Sequence, residues 1–369
     1  QMKVLSVVVL IAVSVCSATI LDLVLLKDPG AVCNDGSQAG YYIEKGSNPK
    51  TFVLYLQGGG YCFDNTSCGL RWGKGAPNLM SSLHWEKTMN GQGILSSNAS
   101  QNPYWYEATR VMINYCSSDL WTGSKTLTPN SPTPWFYKGS EIISAAISDL
   151  KDNYGLREAT DVLFTGSSAG GIGLLPNADR VAEMLPTSKV TVLVDSGWFL
   201  DFKPYKQGSC KDVPDCTEQQ GMSRGYKIWE PIVNKGCSAS MPPDKLYQCT
   251  LGYHAFPFIK TDTFIFQYQF DGAQMGHDGI HESPKSGAEL IYAQKAAKNL
   301  TETFRSSGAK GVFSPSCYFH TVLRVPSWTS LKIAGKSLAD VFHMWRTGTD
   351  KNQLYIDTCN TPGCNPTCL

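Results

Sequence analysis

Charge imbalance is the first thing this 369-residue sequence lacks: 32 Lys and Arg face 31 Asp and Glu, and charged residues make up only 17%. A formal net charge of +1 gives no overall pull toward nucleic acid, an acidic membrane surface or a polyanionic polymer. Beyond the N-terminus no stretch approaches twenty consecutive apolar residues, so no membrane span is predicted. C-x-x-C pairs are missing and the cysteines are dispersed, which argues against a zinc site. Histidine is scarce, with six residues, so few positions qualify as a general base.

Apolar residues are plentiful at 42%, enough for one large α/β domain or two small ones. Lys3, the apolar run Val4 to Val15 and the small residues Cys16, Ser17 and Ala18 follow the order of a secretory signal peptide. Residues 1–18 are therefore expected to be a leader and 19–369 a single domain. Thirteen cysteines become twelve without Cys16, an even number suited to disulfides in an oxidising compartment. Spacing suggests Cys62 with Cys68, Cys210 with Cys216 and Cys237 with Cys249. The tail 359–369, with three cysteines, is expected to be pinned to the body, through Cys317. Sequons at Asn65, Asn98 and Asn299 are candidate glycan sites. A secreted monomer is expected.

Asp161 to Gly173, D-V-L-F-T-G-S-S-A-G-G-I-G, organises the chain. An apolar strand, Val162 to Phe164, runs into Gly166-Ser167-Ser168-Ala169-Gly170, a G-x-S-x-G element. A nucleophile on a sharp strand-to-helix turn needs very small neighbours, and the turn lifts its hydroxyl clear of the sheet. Ser168 is the candidate nucleophile and Ser167 a support for the turn. No G-K-[ST] follows, which argues against a phosphate loop. A second cluster, Gln57-Gly58-Gly59-Gly60-Tyr61, follows the strand Thr51 to Leu56. Glycines there let backbone N–H groups approach a ligand, as an oxyanion loop requires.

Further strands are predicted at Val111 to Tyr115, Val190 to Val194, Thr263 to Phe270 and Val312-Phe313. Helices are predicted at Ser140 to Lys151, Gly171 to Met184, Gln219 to Trp229, Pro284 to Phe304 and Ser337 to Trp345. Alternation of strand and helix argues for a three-layer α/β domain with a mostly parallel sheet. Residues 200–262, rich in cysteine, proline and turn residues, read as a disulfide-stapled cap or insertion.

A serine nucleophile needs a base, and the base a carboxylate. His320 follows the last predicted strand, late in the chain, where the order Ser, Asp, His demands the base. His277 and His281 flank a Gly/Asp-rich turn and read as surface, metal-binding or lid residues. Asp271 and Asp195 both end strands and both remain candidates for the acid.

Several long motifs resemble the pectin acetylesterase family: Gly58-Gly59-Gly60-Tyr61-Cys62-Phe63, Tyr115-Cys116-Ser117-Ser118-Asp119, Gly166 to Gly171, Asp195 to Asp201, and Phe270-Asp271-Gly272-Ala273-Gln274. The similarity runs from about Cys33 to the C-terminus and is greatest to the animal branch, palmitoleoyl-protein carboxylesterases that strip the lipid from a Wnt serine. The resemblance implies an α/β-hydrolase-like fold and a serine carboxylesterase with Ser168 as nucleophile, Asp271 as acid and His320 as base. It also implies an oxyanion hole of the backbone N–H groups of Gly59, Gly60 and Ala169. No metal or cofactor is required. Gly60 stands where the animal branch carries a tryptophan, which leaves the acyl-chain length open. Tyr61, Phe63, Trp198, Phe199, Phe256 and Phe258 are candidate walls of an apolar pocket. The expected substrate is a lipidated Wnt-type protein, the alternative an acetylated pectin or other polysaccharide. A non-catalytic secreted binding protein would leave the triad unexplained.

Overall fold

Strand residues with alternating faces define the layers. In the strand Asn48–Leu56, Phe52, Leu54 and Leu56 point to one core, while Val53 and Tyr55 point to the other. Both faces are buried, as helices on either side of a parallel sheet require. The computed structural model describes residues 18–368, apart from 74, 75, 126, 129, 132 and 349–352. The expected leader therefore lies outside the described residues, except Ala18.

In chain order the strands are β1 (Ile20–Leu25), β2 (Gly40–Glu44), β3 (Asn48–Leu56), β4 (Thr88–Asn90), β5 (Ala108–Ile113), β6 (Asp161–Ser167), β7 (Lys189–Asp195), β8 (Thr263–Phe266), β9 (Phe270–Asp271), β10 (Gly311–Ser314), β11 (Tyr318–Phe319), β12 (Lys332–Ile333), β13 (Lys336–Ser337) and β14 (Gln353–Ile356). Ten form one sheet in the order β14-β10-β8-β7-β6-β3-β5-β2-β1-β4. From β14 to β5 every pairing is parallel, and β2, β1 and β4 add an antiparallel edge.

The helices are α1 (Asn65–Gly73), α2 (Gly139–Asn153), α3 (Ala169–Met184), α4 (Glu218–Trp229), α5 (Lys235–Ser240), α6 (Gly252–Ala255), α7 (Gly272–His277), α8 (Gly287–Ser306) and α9 (Leu338–Thr347). Apolar residues of α2 and α3, among them Ile142, Ile147, Leu174 and Val181, fill one core. Leu338, Val341, Phe342 and Trp345 of α9 fill the other against Phe264 and Phe313. The chain is an α/β-hydrolase-like, three-layer domain.

After β5 the chain crosses back to place β6 on the other flank of β3. Such a reversal opens a crevice at the carboxyl ends of the two strands. The glycine loop leaves β3 there, and the G-x-S-x-G turn leaves β6.

One predicted strand is corrected. Thr263 to Phe270 is interrupted: β8 ends at Phe266, and β9 pairs with β11 in a separate two-stranded ribbon. At the diversion the Gln267 side chain accepts from Trp198 N and donates to Asp271, 2.9 and 3.0 Å. The ribbon sets Asp271 opposite Phe319, beside His320.

Six disulfides join the described cysteines: Cys33–Cys116, Cys62–Cys68, Cys210–Cys216, Cys237–Cys249, Cys317–Cys368 and Cys359–Cys364. Four of them close local loops of 5 to 12 residues, and Cys317–Cys368 ties the tail to the segment that precedes His320.

Candidate active site

One residue makes the turn between β6 and α3. Ser168 has φ 56° and ψ −122°, a sparsely populated conformation that costs about 1–3 kcal/mol in a non-glycine residue. Its neighbours show why they are glycine. A Cβ on Gly166 or Gly170 would lie 2.7 or 2.2 Å from the Leu56 carbonyl oxygen, and one on Gly171 2.6 Å from that of Asp195. Flanking strands thus leave room only for hydrogen. The turn is tied by Ser168 N to Asp195 O and Ile172 N to Ser168 O, 2.9 and 2.8 Å. Although Ser168 is the N-cap of α3, its hydroxyl makes no capping bond. It faces the adjoining cavity instead. Ser167 points the other way, bonded to Asp195 and accepting from Tyr55 OH at 2.7 Å.

His320 and Asp271 meet through the ribbon, with His320 Nδ1 2.9 Å from Asp271 Oδ2. Asp271 also N-caps α7, its Oδ1 accepting from Ala273 N and Gln274 N at 2.9 and 3.2 Å, while Gln267 holds Oδ2. Burial pulls the His320 imidazole pKa down, but the Asp271 charge and hydrogen bond outweigh it, and the net shift is upward. Asp195, the other candidate acid, is fully buried and accepts from the backbone N–H groups of Val322 and Leu323. It therefore clamps the segment that follows His320. Burial raises its carboxyl pKa, opposed by those hydrogen bonds.

A cavity of about 420 Å³ joins these pieces, lined by Ser168, His320, Gly59, Gly60 and Ala169. Gly59 and Gly60 have φ of +144° and +67°, conformations open to glycine at no steric cost. Their N–H groups meet no protein acceptor among the described residues. Ala169 supplies the first N–H of α3, one of those a helix leaves unpaired at its start.

The remaining wall is mostly apolar, with Leu70, Leu120, Ile172, Phe199, Val213, Pro214 and Ala273. Of the aromatic residues expected there, Tyr61 and Phe199 line the cavity. Trp198 instead packs in a satellite core against Phe256 and Phe304, because its side chain lies under α6 and α8. Phe63 packs in the main core and Phe258 against Gly236.

Polar groups that the sequence reading did not assign to the site also border the cavity. Arg71 from α1 places Nη1 3.7 Å from where a Cβ on Gly60 would stand. His277, at the end of α7, bonds to Glu218 at the start of α4. The surface reading of His277 is thus corrected: its side chain is only 13% exposed, since α4 closes over it. His281 is exposed. Nothing in the spacing of Glu218 and His277 signals their pairing. Among the described residues no group of three or more His, Cys, Asp or Glu is arranged to hold a metal ion.

A family model described as pectinacetylesterase matches residues 15–369. The chain belongs to the pectinacetylesterase family. Like the relatives named as carboxylesterases, this family member is a carboxylic ester hydrolase. It is 35% identical over 376 aligned residues to palmitoleoyl-protein carboxylesterase notum1 of Xenopus laevis, covering 96% of this chain and 76% of the relative. Human palmitoleoyl-protein carboxylesterase NOTUM matches at the same identity, over 96% and 75% of the two chains. Among solved structures, the Wnt deacylase Notum from Drosophila superposes with a TM-score of 0.87 at 33% identity, covering 95% of this family member and 99% of that chain.

Proposed function

We propose that this family member is a secreted serine esterase that removes a fatty acyl group from a serine of a Wnt-type protein, with Ser168, His320 and Asp271 as its triad. The observation that carries this reading is the mostly apolar cavity at the foot of Ser168, far larger than an acetyl group needs. Six disulfides fit an oxidising, extracellular setting. Among the described residues no helix is long and apolar enough to cross a membrane.

With Nδ1 bonded to Asp271, His320 presents Nε2 as the base that takes the Ser168 proton. The serine oxygen attacks the ester carbonyl, and the N–H groups of Gly59, Gly60 and Ala169 hold the resulting oxyanion. His320 returns the proton to the leaving alcohol, and water then hydrolyses the acyl-enzyme. Each buried methylene of the acyl chain contributes about 0.8 kcal/mol.

A second reading, deacetylation of a polysaccharide, is favoured by the charged groups Arg71, Asp212 and Glu218 on the cavity wall and by the family's description. Hydrolysis of p-nitrophenyl esters from acetate to long chains, by the parent and by Ser168→Ala, separates the two. Turnover of medium or long chains that vanishes in the variant supports the lipid reading, with a palmitoleoylated peptide as the next substrate. Turnover of acetate alone favours the polysaccharide.

A further inference from the structure

At the carboxyl ends of β3, β6 and β7 a line of buried polar side chains crosses the sheet. Tyr55 OH donates to Ser167 Oγ at 2.7 Å, and Ser167 Oγ donates in turn to Asp195 Oδ2. The line continues into the segment after His320, where Val322 N and Leu323 N both donate to Asp195 Oδ2 at 3.0 Å. Ser196, the next residue, gives its hydroxyl to Asp195 Oδ1 at 3.1 Å and accepts from Thr321 N at 3.0 Å. The main chain of Asp195 is engaged as well, its carbonyl accepting from Ser168 N at 2.9 Å. The pair Asp195-Ser196 thus holds both the nucleophile turn and the three residues that follow the base.

Backbone conformation shows what this hold resists. Thr321, directly after His320, has φ 65°, an outlier for a β-branched residue. Such a conformation persists only where its surroundings over-determine it, and here the Ser196 hydroxyl and the Asp195 carboxylate do so. Every group on the Asp195 oxygens is a donor, an arrangement that the acceptor-only, ionised carboxylate serves in full. Its charge faces His320, Tyr55 and Tyr268, and Arg324 faces Tyr55. Burial pushes both phenols up, which leaves His320 as the group whose protonation answers to Asp195 near neutral pH. Asp119 offers a contrast. It is equally buried and accepts from Ser117 Oγ, Trp121 N and Gly139 N, but those bonds stay within its own loop and the start of α2.

We propose that Asp195, with Ser167 and Ser196, is a positioning residue of the esterase, fixing His320 against Ser168 by holding the segments that carry both. This rests on the serine-esterase reading above and adds to it a carboxylate that acts through His320 and is itself sealed from the cavity.

The test follows hydrolysis of one p-nitrophenyl ester across pH, with urea unfolding alongside. In Asp195→Asn the amide oxygen can keep Val322 and Leu323 while its nitrogen turns to the Ser196 hydroxyl, so the change is chiefly one of charge. Its kcat is expected to fall by about tenfold to about 100-fold, the cost of a misplaced reacting group, with KM within about twofold. The acid limb of kcat/KM is expected to move to lower pH, by a smaller step than in Asp271→Asn, because the His320 imidazolium loses one of the carboxylates that stabilise it. Ser196→Ala and Ser167→Ala each remove one oxygen and keep the charge. Each is expected to lower kcat by up to about tenfold, the effect of one hydrogen bond, with the limb in place, and these two carry the test if Asp195→Asn does not fold. Asp119→Asn is expected to lower the urea midpoint and leave the limb where it is. Parent-like kcat in the Asp195, Ser196 and Ser167 variants overturns the proposal, as does an Asp195→Asn chain that loses stability with its limb unmoved. A larger limb shift than that of Asp271→Asn overturns it too, by making Asp195 the principal acid. Undiminished turnover in Ser168→Ala, or none by the parent, defeats the serine-esterase reading and this proposal with it. Abolition of turnover by Ser168→Ala beside parent-like Asp195 and serine variants leaves that reading standing and removes this one alone.

Discussion

The cavity has two halves of different origin. One is set by the ends of β3 and β6 and by the β9–β11 ribbon, which present Gly59, Gly60, Ser168, Asp271 and His320. The other is set by α1 and by the segment leading into α4, which present Arg71, Asp212, Val213 and Glu218. In the first half each functional group is over-determined. Ser168 is squeezed between strands that admit no side chain on Gly166 or Gly170, and Asp271 accepts four hydrogen bonds. In the second, Arg71 Nη2 and Glu218 Oε2 are left without partners. Rigid strands therefore carry the proposed chemistry, while helix and loop segments shape the rest of the wall.

Substitutions test that division most severely at the nucleophile. Ser168→Ala is expected to lower kcat by about 10⁴- to 10⁶-fold, and Asp271→Asn by about 10³- to 10⁴-fold, since the amide can still cap α7 but no longer supports an imidazolium. Val213→Ala, on the other half, is expected to change KM by less than about tenfold with kcat nearly intact. Steady-state kinetics on one ester checks all three. A collapse of kcat in Val213→Ala would erase the division.

Disulfides draw the same line in stability. Cys33–Cys116 closes a loop of 83 residues beside the sheet, whereas Cys210–Cys216 closes one of 6 residues just ahead of α4. Loop-closure entropy assigns roughly 4–5 kcal/mol to the first and roughly 2 kcal/mol to the second. Urea unfolding of the two paired Cys→Ser variants measures both losses. A larger loss from the short loop would mean that the α4 approach, not the sheet, limits unfolding.

Much of the strand-built half was legible, because its constraints are local in sequence. G-x-S-x-G reports the clearance between strands, and the glycines after β3 report positive φ. Asp195 and Asp271 look alike in sequence, each ending an apolar strand. Only the diversion at Gln267 sends one to His320 and leaves the other clamping Val322 and Leu323. The run T-F-I-F-Q-Y-Q-F hides that diversion, since its glutamines fit the polar positions of an ordinary strand. Strands β1 and β14, the latter at the sheet's edge, escaped notice because both are partly exposed. Glu218 and His277 escaped because a pair 59 residues apart leaves no spacing signal. His277 also stands amid Gly276, Asp278 and Gly279, which read as a turn.

The two histidines give the finest comparison. Both imidazole pKa values are raised: burial works against the charged form in each, and the neighbouring carboxylate, Asp271 or Glu218, outweighs it. Only one of them should gate catalysis. A protonated His320 cannot take the Ser168 proton, so kcat/KM is expected to fall about tenfold per unit as pH drops below the pKa of His320. Because Asp271 stabilises the imidazolium, that acid limb should lie above the ordinary histidine value of 6.5. Asp271→Asn removes the stabilising charge and should shift the limb to lower pH. His277→Val should leave the limb in place, since the charges that raise the His320 pKa are those of Asp271 and Asp195. A limb that followed His277→Val and ignored Asp271→Asn would make His277, with Glu218 behind it, the working base, and the two halves of the cavity would exchange roles.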